Sequence, residues 1–374
     1  MSKLEQLISE LCPNGVEYRK LEKCCNILDR QRKPVTKSAR ETGEYPYYGA
    51  NGIQDYVSDY IFDGTFVLVG EDGSVITKNG NPVVTWAQGK IWVNNHAHII
   101  GEIDGVLLRY LYHFIQTVDV TSLIHGNIPK LTGGDFKAIP IALPPLPVQE
   151  EIVRILDNFT ELTAELTAEL TAELTARKKQ YEYYRDELLT FKDGEAEWKT
   201  LGEVINLQRG RRLVKSQLEE TGKYAVYQNA MTPLGYYHES NVKAYTTFII
   251  CAGAAGEIGF SDVDYWAADD VHSCITPDNI NNRFLYYYFK TQQQKILSQV
   301  RRASIPRLPK TVLEKLSIPI PPLKEQERIV AILDKFDTLV NDISSGLPAE
   351  IAMRNKQYEY YRELLLGFDK ADRS

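Results

Sequence analysis

The sequence predicts an α+β protein in which two mixed α/β domains stand at opposite ends of an antiparallel pair of long helices. The two halves form a circular pseudo-two-fold repeat. Three observations predict it. The chain repeats itself at a nearly constant spacing, each copy holds short β-rich runs between turn residues, and each copy ends in a long helix-forming stretch.

The repeat comes first. "PPLPVQEEIVRILDNF" begins at Pro144 and "PPLKEQERIVAILDKF" at Pro321, 177 positions later. "RKKQYEYYRDELLTF" from Arg177 and "RNKQYEYYRELLLGF" from Arg354 keep that offset, as do "GNIPKL" at Gly126 and "ASIPRL" at Ala303. "VEYRKLEK" at Val16 matches "AEWKTLGE" at Ala196 with an offset of 180, and "YPYYGA" at Tyr45 echoes "YAVYQN" at Tyr224. The segment before the first domain aligns with the one that follows the first long helix, which makes the repeat circular. A two-fold axis between copies then sets the long helices antiparallel.

Each element follows in order. Residues 1–15 read as a short amphipathic helical segment. Domain one, 16–143, carries the β-rich "TFVLVG" and the helical "LLRYLYHFIQ" among Gly, Asn and Asp turns. A spacer helix follows at 144–192, entered through "LPPL", because Pro suits the start of a helix and not its interior. Domain two, 193–320, repeats the scheme with "TTFIICAG" and "NRFLYYYFKTQQQKIL". The second spacer helix occupies 321–368 and leaves a tail, 369–374. The spacer helices run Gln149–Phe191 and Gln326–Phe368, each about 64 Å long if unbroken. "SSGLP", with Gly346 and Pro348, kinks or breaks the second.

"LTAELTAELTAELTAR", Leu162–Arg177, holds three successive Thr-Ala-Glu-Leu units. Ala, Leu and Glu favour helix over flexible linker. Each unit advances a helix by about 6 Å and turns it about 40° past a full turn, so Leu162, Leu166, Leu170 and Leu174 form a slowly drifting stripe. Two readings stay open on this stretch alone: a surface or coiled-coil helix, or a ruler set by copy number.

Composition excludes several classes. No apolar run approaches the roughly 18 residues of a membrane span, and the acidic, amphipathic start does not read as a signal peptide. Five cysteines without a CxxC pair fit reduced thiols in a cytoplasm and no zinc site. The net charge of −7 does not advertise nucleic-acid binding, though a sum can hide local patches. No catalytic constellation is convincing. "GAAGEIG" lacks the Lys-Ser/Thr of a phosphate loop and reads as a turn, like its mirror "GEDGSVI". "LPPL" and "IPPL" lack the polar residue that an amino-methyltransferase places before its prolines. His96 and His98 show no metal-ligand spacing, and His98 belongs to the core. Acidic "DYWAADD" has no nearby catalytic lysine.

Basic clusters carry more information. "DRQRKPVTK" places Arg30, Arg32, Lys33 and Lys37 after the first strand of copy one, and "QRGRRLVK" places Arg209, Arg211, Arg212 and Lys215 at the matching point of copy two. A second pair of loops matches as well, with Asn127 and Lys130 opposite Arg301, Arg302, Arg307 and Lys310. Arg in such loops can neutralise phosphates or read guanine, while Asn94, Asn95, Gln228 and Asn229 are of the kind that pairs with adenine edges. One charged run is ordinarily a solvated loop. Recurrence in both copies makes these residues the DNA-binding candidates.

Duplicated domains, each followed by "PPLxxQExIVxILDxF" and "QYEYYRxELL", resemble the specificity subunits of type I restriction-modification systems, over essentially the whole chain. The tetrapeptide repeat looks like that of one subgroup. The resemblance implies that the two domains are target recognition domains, each reading half of a bipartite, asymmetric DNA site. It implies that the helices form an antiparallel coiled coil that sets the gap and carries two methyltransferase subunits. Those subunits would bind S-adenosylmethionine and methylate adenine N6, and motor-nuclease subunits would use ATP and Mg. The chain itself would hold no cofactor, no metal and no active site. Gln149, Ile152, Ile155 and Leu156, with Gln326, Ile329, Ile332 and Leu333, are the candidate partner surface. A protein-binding scaffold and a stand-alone DNA-modifying enzyme remain the alternatives.

Overall fold

The β-rich runs of the first copy assemble into one six-stranded sheet. The computed structural model describes residues 2–342 and 345–371. These fall into two compact units, one within Met1–Ala168 and Ala352–Ser374, the other within Glu169–Ile351. In the first, the strand order is Asn26–Ile27, Ala97–Gly101, Phe62–Gly70, Val84–Val93, Thr42–Gly49, Gly52–Val57. All neighbours are antiparallel except Thr42–Gly49 beside Val84–Val93. Val67, Leu68 and Val69 are fully or nearly fully buried, as an apolar strand run covered on both faces should be. The helix Leu108–Ile115 packs on this sheet through Tyr110, Leu111 and Phe114.

The second unit has the same core pairings in two smaller sheets. One runs Asn206–Arg209, Val271–Ile275, Thr246–Ile250, Ile258–Ser261. The other runs Gly235–Tyr237, Tyr224–Tyr227, Trp266–Ala267. Val84–Val93 is long enough to serve both halves of the first sheet. Its counterpart divides into Ile258–Ser261 and Trp266–Ala267 around a turn at Asp262 and Val263, which splits the sheet. "NRFLYYYFKTQQQKIL" is likewise two helices, Asn282–Thr291 and Gln293–Ser298.

The first spacer helix spans Leu146–Leu188 without a break, 43 residues and about 64 Å, three residues earlier at each end than expected. The second is divided into Leu323–Asn341 and Leu347–Leu366. Gly346 lies in the break, Pro348 is in the first turn of the following helix where a missing N–H costs nothing, and Ser344 is outside the described residues. The tail beyond Ala371 is outside them as well.

Circularity is visible within each unit. Leu365, Leu366 and Phe368, at the end of the chain, pack into the core of the first unit. Leu188, Leu189 and Phe191, 177 positions earlier, pack into that of the second. The rings of Phe159 and Tyr361 stack at 5.8 Å, and those of Phe336 and Tyr184 do so at the same separation. In the first unit Thr160 also meets Tyr358, so these helix segments run antiparallel there. The N-terminal helix Lys3–Leu11 packs separately, through Leu4 in the core and a Lys3–Glu151 ion pair of 2.8 Å.

The candidate partner surface requires correction. Ile152 and Leu156, and Ile329 and Leu333, are fully buried in the core of their own unit. Ile155 and Ile332 are half-buried. The apolar stripe that suggested a partner is consumed by the chain's own helix-to-domain packing. Gln149 and Gln326 are 1% exposed and act as staples. Leu107 N–H donates to Gln149 Oε1 (3.0 Å), whose Nε2 donates to the Gly105 and Pro144 carbonyls. Asn281 N–H, Asn279 O and Pro321 O meet Gln326 in the same way. Arg109–Asp157 and Arg283–Asp334, both 2.8 Å, add a second tie between each domain helix and its spacer helix.

Replacing Gln326 by Leu orphans buried backbone groups that water cannot reach. The expected loss is about 2–4 kcal/mol of stability, read as an earlier urea midpoint in the transition reported by the second unit. A change under about 0.5 kcal/mol, the range of an unremarkable surface substitution, would show that Gln326 is not a staple.

Candidate nucleic-acid interface

Two tryptophans set the basic loops. Trp92 Nε1 donates to the Lys33 carbonyl (2.7 Å), and Trp266 Nε1 donates to the Arg211 carbonyl (3.0 Å). The N–H of Lys33 reaches Val93 O and that of Arg211 reaches Ala267 O. Lys33 and Arg211 therefore occupy the same place in their units. Each leaves a sheet edge beside a strand that pairs in parallel with Thr42–Gly49 or Tyr224–Tyr227. Arg30, Lys33 and Lys37 are exposed in the first loop, and Arg209, Arg211, Arg212 and Lys215 in the second. The tryptophans escaped the sequence reading because they lie 174 positions apart, off the 177 and 180 offsets that align the rest.

Arg32 and Asn94 are corrections. Arg32 keeps only 12% of its side chain exposed. Its Nη1 donates to Glu71 Oε2 and to the Ala97 carbonyl, both at 2.6 Å, and its Nε donates to Asp29 O (2.9 Å). Asn94 is 2% exposed; its Nδ2 donates to Gln54 Oε1 and its Oδ1 accepts from the His96 N–H. Both side chains are spent on the protein. Asn95, Asn127 and Asn229 are exposed, and Gln228 is half-buried.

The second pair of loops converges on the first pair in both units. In the first unit Lys130, a DNA-binding candidate in the sequence, reaches Glu71 at 3.3 Å, so it shares a carboxylate with Arg32 and its charge too is compensated within the protein. His98 stands at the centre, fully buried and stacked on Phe136 at 4.2 Å. Its Nδ1 meets Asp29 Oδ2 (2.7 Å) and its Nε2 meets Leu131 O (3.0 Å). Burial pushes the Asp29 carboxyl up, but hydrogen bonds from His98 and the Ile99 N–H, with the charges of His98 and Arg32, bring it below the usual carboxylate value. Asp29, Glu71 and His98 hold ligand-type atoms within 4.8 Å of one another. The cation among them is the Arg32 guanidinium, so the cluster is an ion-pair cage.

In the second unit Arg209, Arg301, Arg307 and Lys310 line one cleft of about 660 Å³, together with Asp269, Asp270 and His272. Burial lowers the His272 pKa and raises that of Asp270, which Asp269 raises further. Arg209 Nε donates to Asp269 O (3.0 Å), and Lys310 pairs with Glu314 (3.2 Å).

The profile of the type I restriction modification DNA specificity domain matches this chain twice, over residues 13–176 and 194–353. The chain belongs to that family. It is a DNA specificity subunit, the non-catalytic, sequence-reading part of a type I restriction-modification system. A specificity subunit of Haemophilus influenzae is 41% identical over 94% of this chain and 96% of its own length. The EcoR124I/EcoR124II specificity subunit of Escherichia coli is 37% identical over 71% of this chain and 72% of its own. Two solved structures share the fold. A specificity subunit from M. genitalium aligns with a TM-score of 0.57 at 17% identity, covering 96% of this chain and 97% of that one. A chain from a study of assembly of the type I system aligns at 0.66 and 16%, covering 95% and 98%.

The cage gives this specificity subunit a pH signature. Because the folded pKa of Asp29 lies below its unfolded value of about 3.9, the carboxylate contributes stability above that value and loses it as pH falls through the folded pKa. The stability gap between wild type and Asp29→Asn should be widest at neutral pH and shrink below about pH 4. Urea midpoints taken across that range check it; a gap independent of pH would remove Asp29 from the cage's ionic balance.

Proposed function

We propose that each unit reads one half of a bipartite, asymmetric DNA site, and that the spacer helix sets the unread gap between the halves. The observation that supports this most is the pair of equivalent basic interfaces with different linings. The loops of Lys33 and Arg211 are held by the same tryptophan bond, yet the groups around them differ. Equivalent placement supports two contacts with one duplex, and different linings support two different half-sites. The decisive experiment maps methylated sequences in cells that carry this chain with its methyltransferase. A split motif is expected; a continuous or symmetric motif would refute the reading.

The Thr-Ala-Glu-Leu units lie inside the unbroken Leu146–Leu188 helix. One unit adds about 6 Å and about 40°, against about 3.4 Å and roughly 35° for one base pair of B-DNA. Rotation is thus nearly matched, and bending of helix or DNA absorbs the excess rise. Deleting Thr171–Leu174 should leave both half-sites unchanged and shorten the gap by one base pair. Methylation mapping of the variant decides; an unchanged gap rejects the ruler.

Two methyltransferase subunits, which bring S-adenosylmethionine, are the proposed partners, with motor-nuclease subunits bringing ATP and Mg to the full complex. The buried stripe on the spacer helices is unavailable to them. Tyr183 and Tyr360 are instead 64% and 61% exposed in the repeated "QYEYYR". An exposed aromatic that recurs in both units suits one partner bound twice. Changing both to Glu should weaken assembly at least tenfold, about 1.4 kcal/mol, as measured by light scattering of the mixed subunits; undiminished assembly would move the surface elsewhere. Five free cysteines, all buried, support a cytoplasmic setting. No helix among the described residues is long and apolar enough to cross a membrane.

A further inference from the structure

The rim of the second unit's cleft sets two like charges face to face. Arg301 and Arg307 exchange both backbone hydrogen bonds, Arg301 N–H to Arg307 O at 2.8 Å and Arg307 N–H to Arg301 O at 3.1 Å. Residues paired in this way project their side chains from the same face, where like charges directly opposite each other are destabilising. Both side chains are exposed and both line the cleft; its carboxylates, Asp269 and Asp270, stand beyond ion-pair distance of Arg301, Arg307 and Arg209 among the described residues, although Arg307 and Arg209 act on Asp270 from that longer range.

The matching hairpin of the first unit is neutralised from within. His125 pairs there with Lys130 across the strands. His125 meets Asp135 at 3.3 Å, and Lys130 meets Glu71 at 3.3 Å. Backbone bonds establish the equivalence. Leu131 N–H donates to Glu71 O, and Leu308 N–H donates to Cys251 O. Asp72 bridges Lys130, and Ala252 bridges Arg307. Glu71 is thus replaced by Cys251, and Asp135, 177 positions earlier, by Val312. Asp29, at the register position opposite His98, becomes Arg209 opposite His272. Three carboxylates that pair with basic side chains in the first unit are a thiol, a methyl-bearing side chain and an arginine in the second.

We propose that Arg301, Arg307 and Arg209 form a clamp for a phosphodiester of the DNA backbone, present in the second unit and pre-empted by the ion-pair cage in the first. This rests on the DNA-reading function proposed above. The missing carboxylates are supplied by the ligand: a phosphate between the two opposed guanidinium groups replaces their repulsion with paired, charge-assisted bonds. The two half-sites are therefore held by different physics. The first unit presents a loop pre-set by internal ion pairs, and the second draws its half-site in through cations left open for DNA. A phosphate contact carries no base information, so the clamp fixes register and affinity and leaves the motif to the neighbouring loops.

The test uses the full chain assembled with its methyltransferase subunits and duplex DNA bearing the mapped site. Arg301→Gln with Arg307→Gln should lower the slope of log affinity against log salt by about two units and leave the methylated motif unchanged. The matched pair His125→Gln with Lys130→Gln should leave the slope within about half a unit of wild type, because those side chains already hold carboxylates. Only side chains change in the exposed Arg pair, so the hairpin's backbone bonds remain to preserve the fold. An unchanged slope in the Arg pair, or an equal fall in both pairs, overturns the clamp. Millimolar inorganic phosphate at constant ionic strength should leave wild-type binding unaltered; competition that vanishes in the Arg pair would assign the site to free phosphate and overturn it too. Absence of any preferred DNA sequence in the wild-type complex would overturn the reading function itself, an outcome separate from a normal motif with an unchanged slope.

Discussion

A buried side-chain amide at each helix–domain junction is the constraint on which the rest depends. Gln149 and Gln326 each bind a backbone N–H and two carbonyls that would otherwise be stranded where the domain gives way to its spacer helix. Buried polar groups of this kind tolerate one geometry, since any displacement leaves a group unsatisfied. Arg109–Asp157 and Arg283–Asp334 repeat the constraint about two turns further along the helix. A stiff junction is what allows a change in helix length to be felt by a domain, since a loose one would dissipate it.

The same constraint explains why the two units share a frame and differ in their linings. Trp92 and Trp266 place equivalent loops through an indole N–H and a backbone carbonyl, a bond that is indifferent to the side chain at the loop position. Lys33 and Arg211 can therefore be exchanged for other residues without moving the loop. Around that frame the first unit buries Arg32, Asp29, Glu71 and His98 as a compensated cluster, while the second leaves its arginines at the edge of a cleft. Buried charges must be paired and exposed ones need not be, so one backbone plan supports both solutions.

Much of the fold is legible in the sequence. The constant offsets announced two units and a circular order, and the agreement of Leu188, Leu189 and Phe191 with Leu365, Leu366 and Phe368 bears this out in the two cores. The helix-forming composition of the tetrapeptide stretch, with neither Gly nor Pro, foretold an unbroken helix, and Gly346 foretold the break in the second. The partner surface misled because an amphipathic stripe records that something covers a helix and not what covers it. Ile152, Leu156, Ile329 and Leu333 are covered by their own domains.

What the sequence by itself determined was periodic: the repeat, the helix, its breakpoint and the places where basic loops recur. These follow from local propensity and from spacing along one chain. What only the tertiary structure decided was which charges are free. Arg32 and Arg209 look alike in their loops, yet Arg32 is enclosed by Glu71, 39 positions away, while in the second unit Cys251 stands where Glu71 stands in the first and offers no carboxylate. Whether an arginine serves the protein or its ligand depends on the carboxylates that folding brings within a few ångströms of it, and residues distant along the chain meet only in the folded sheet.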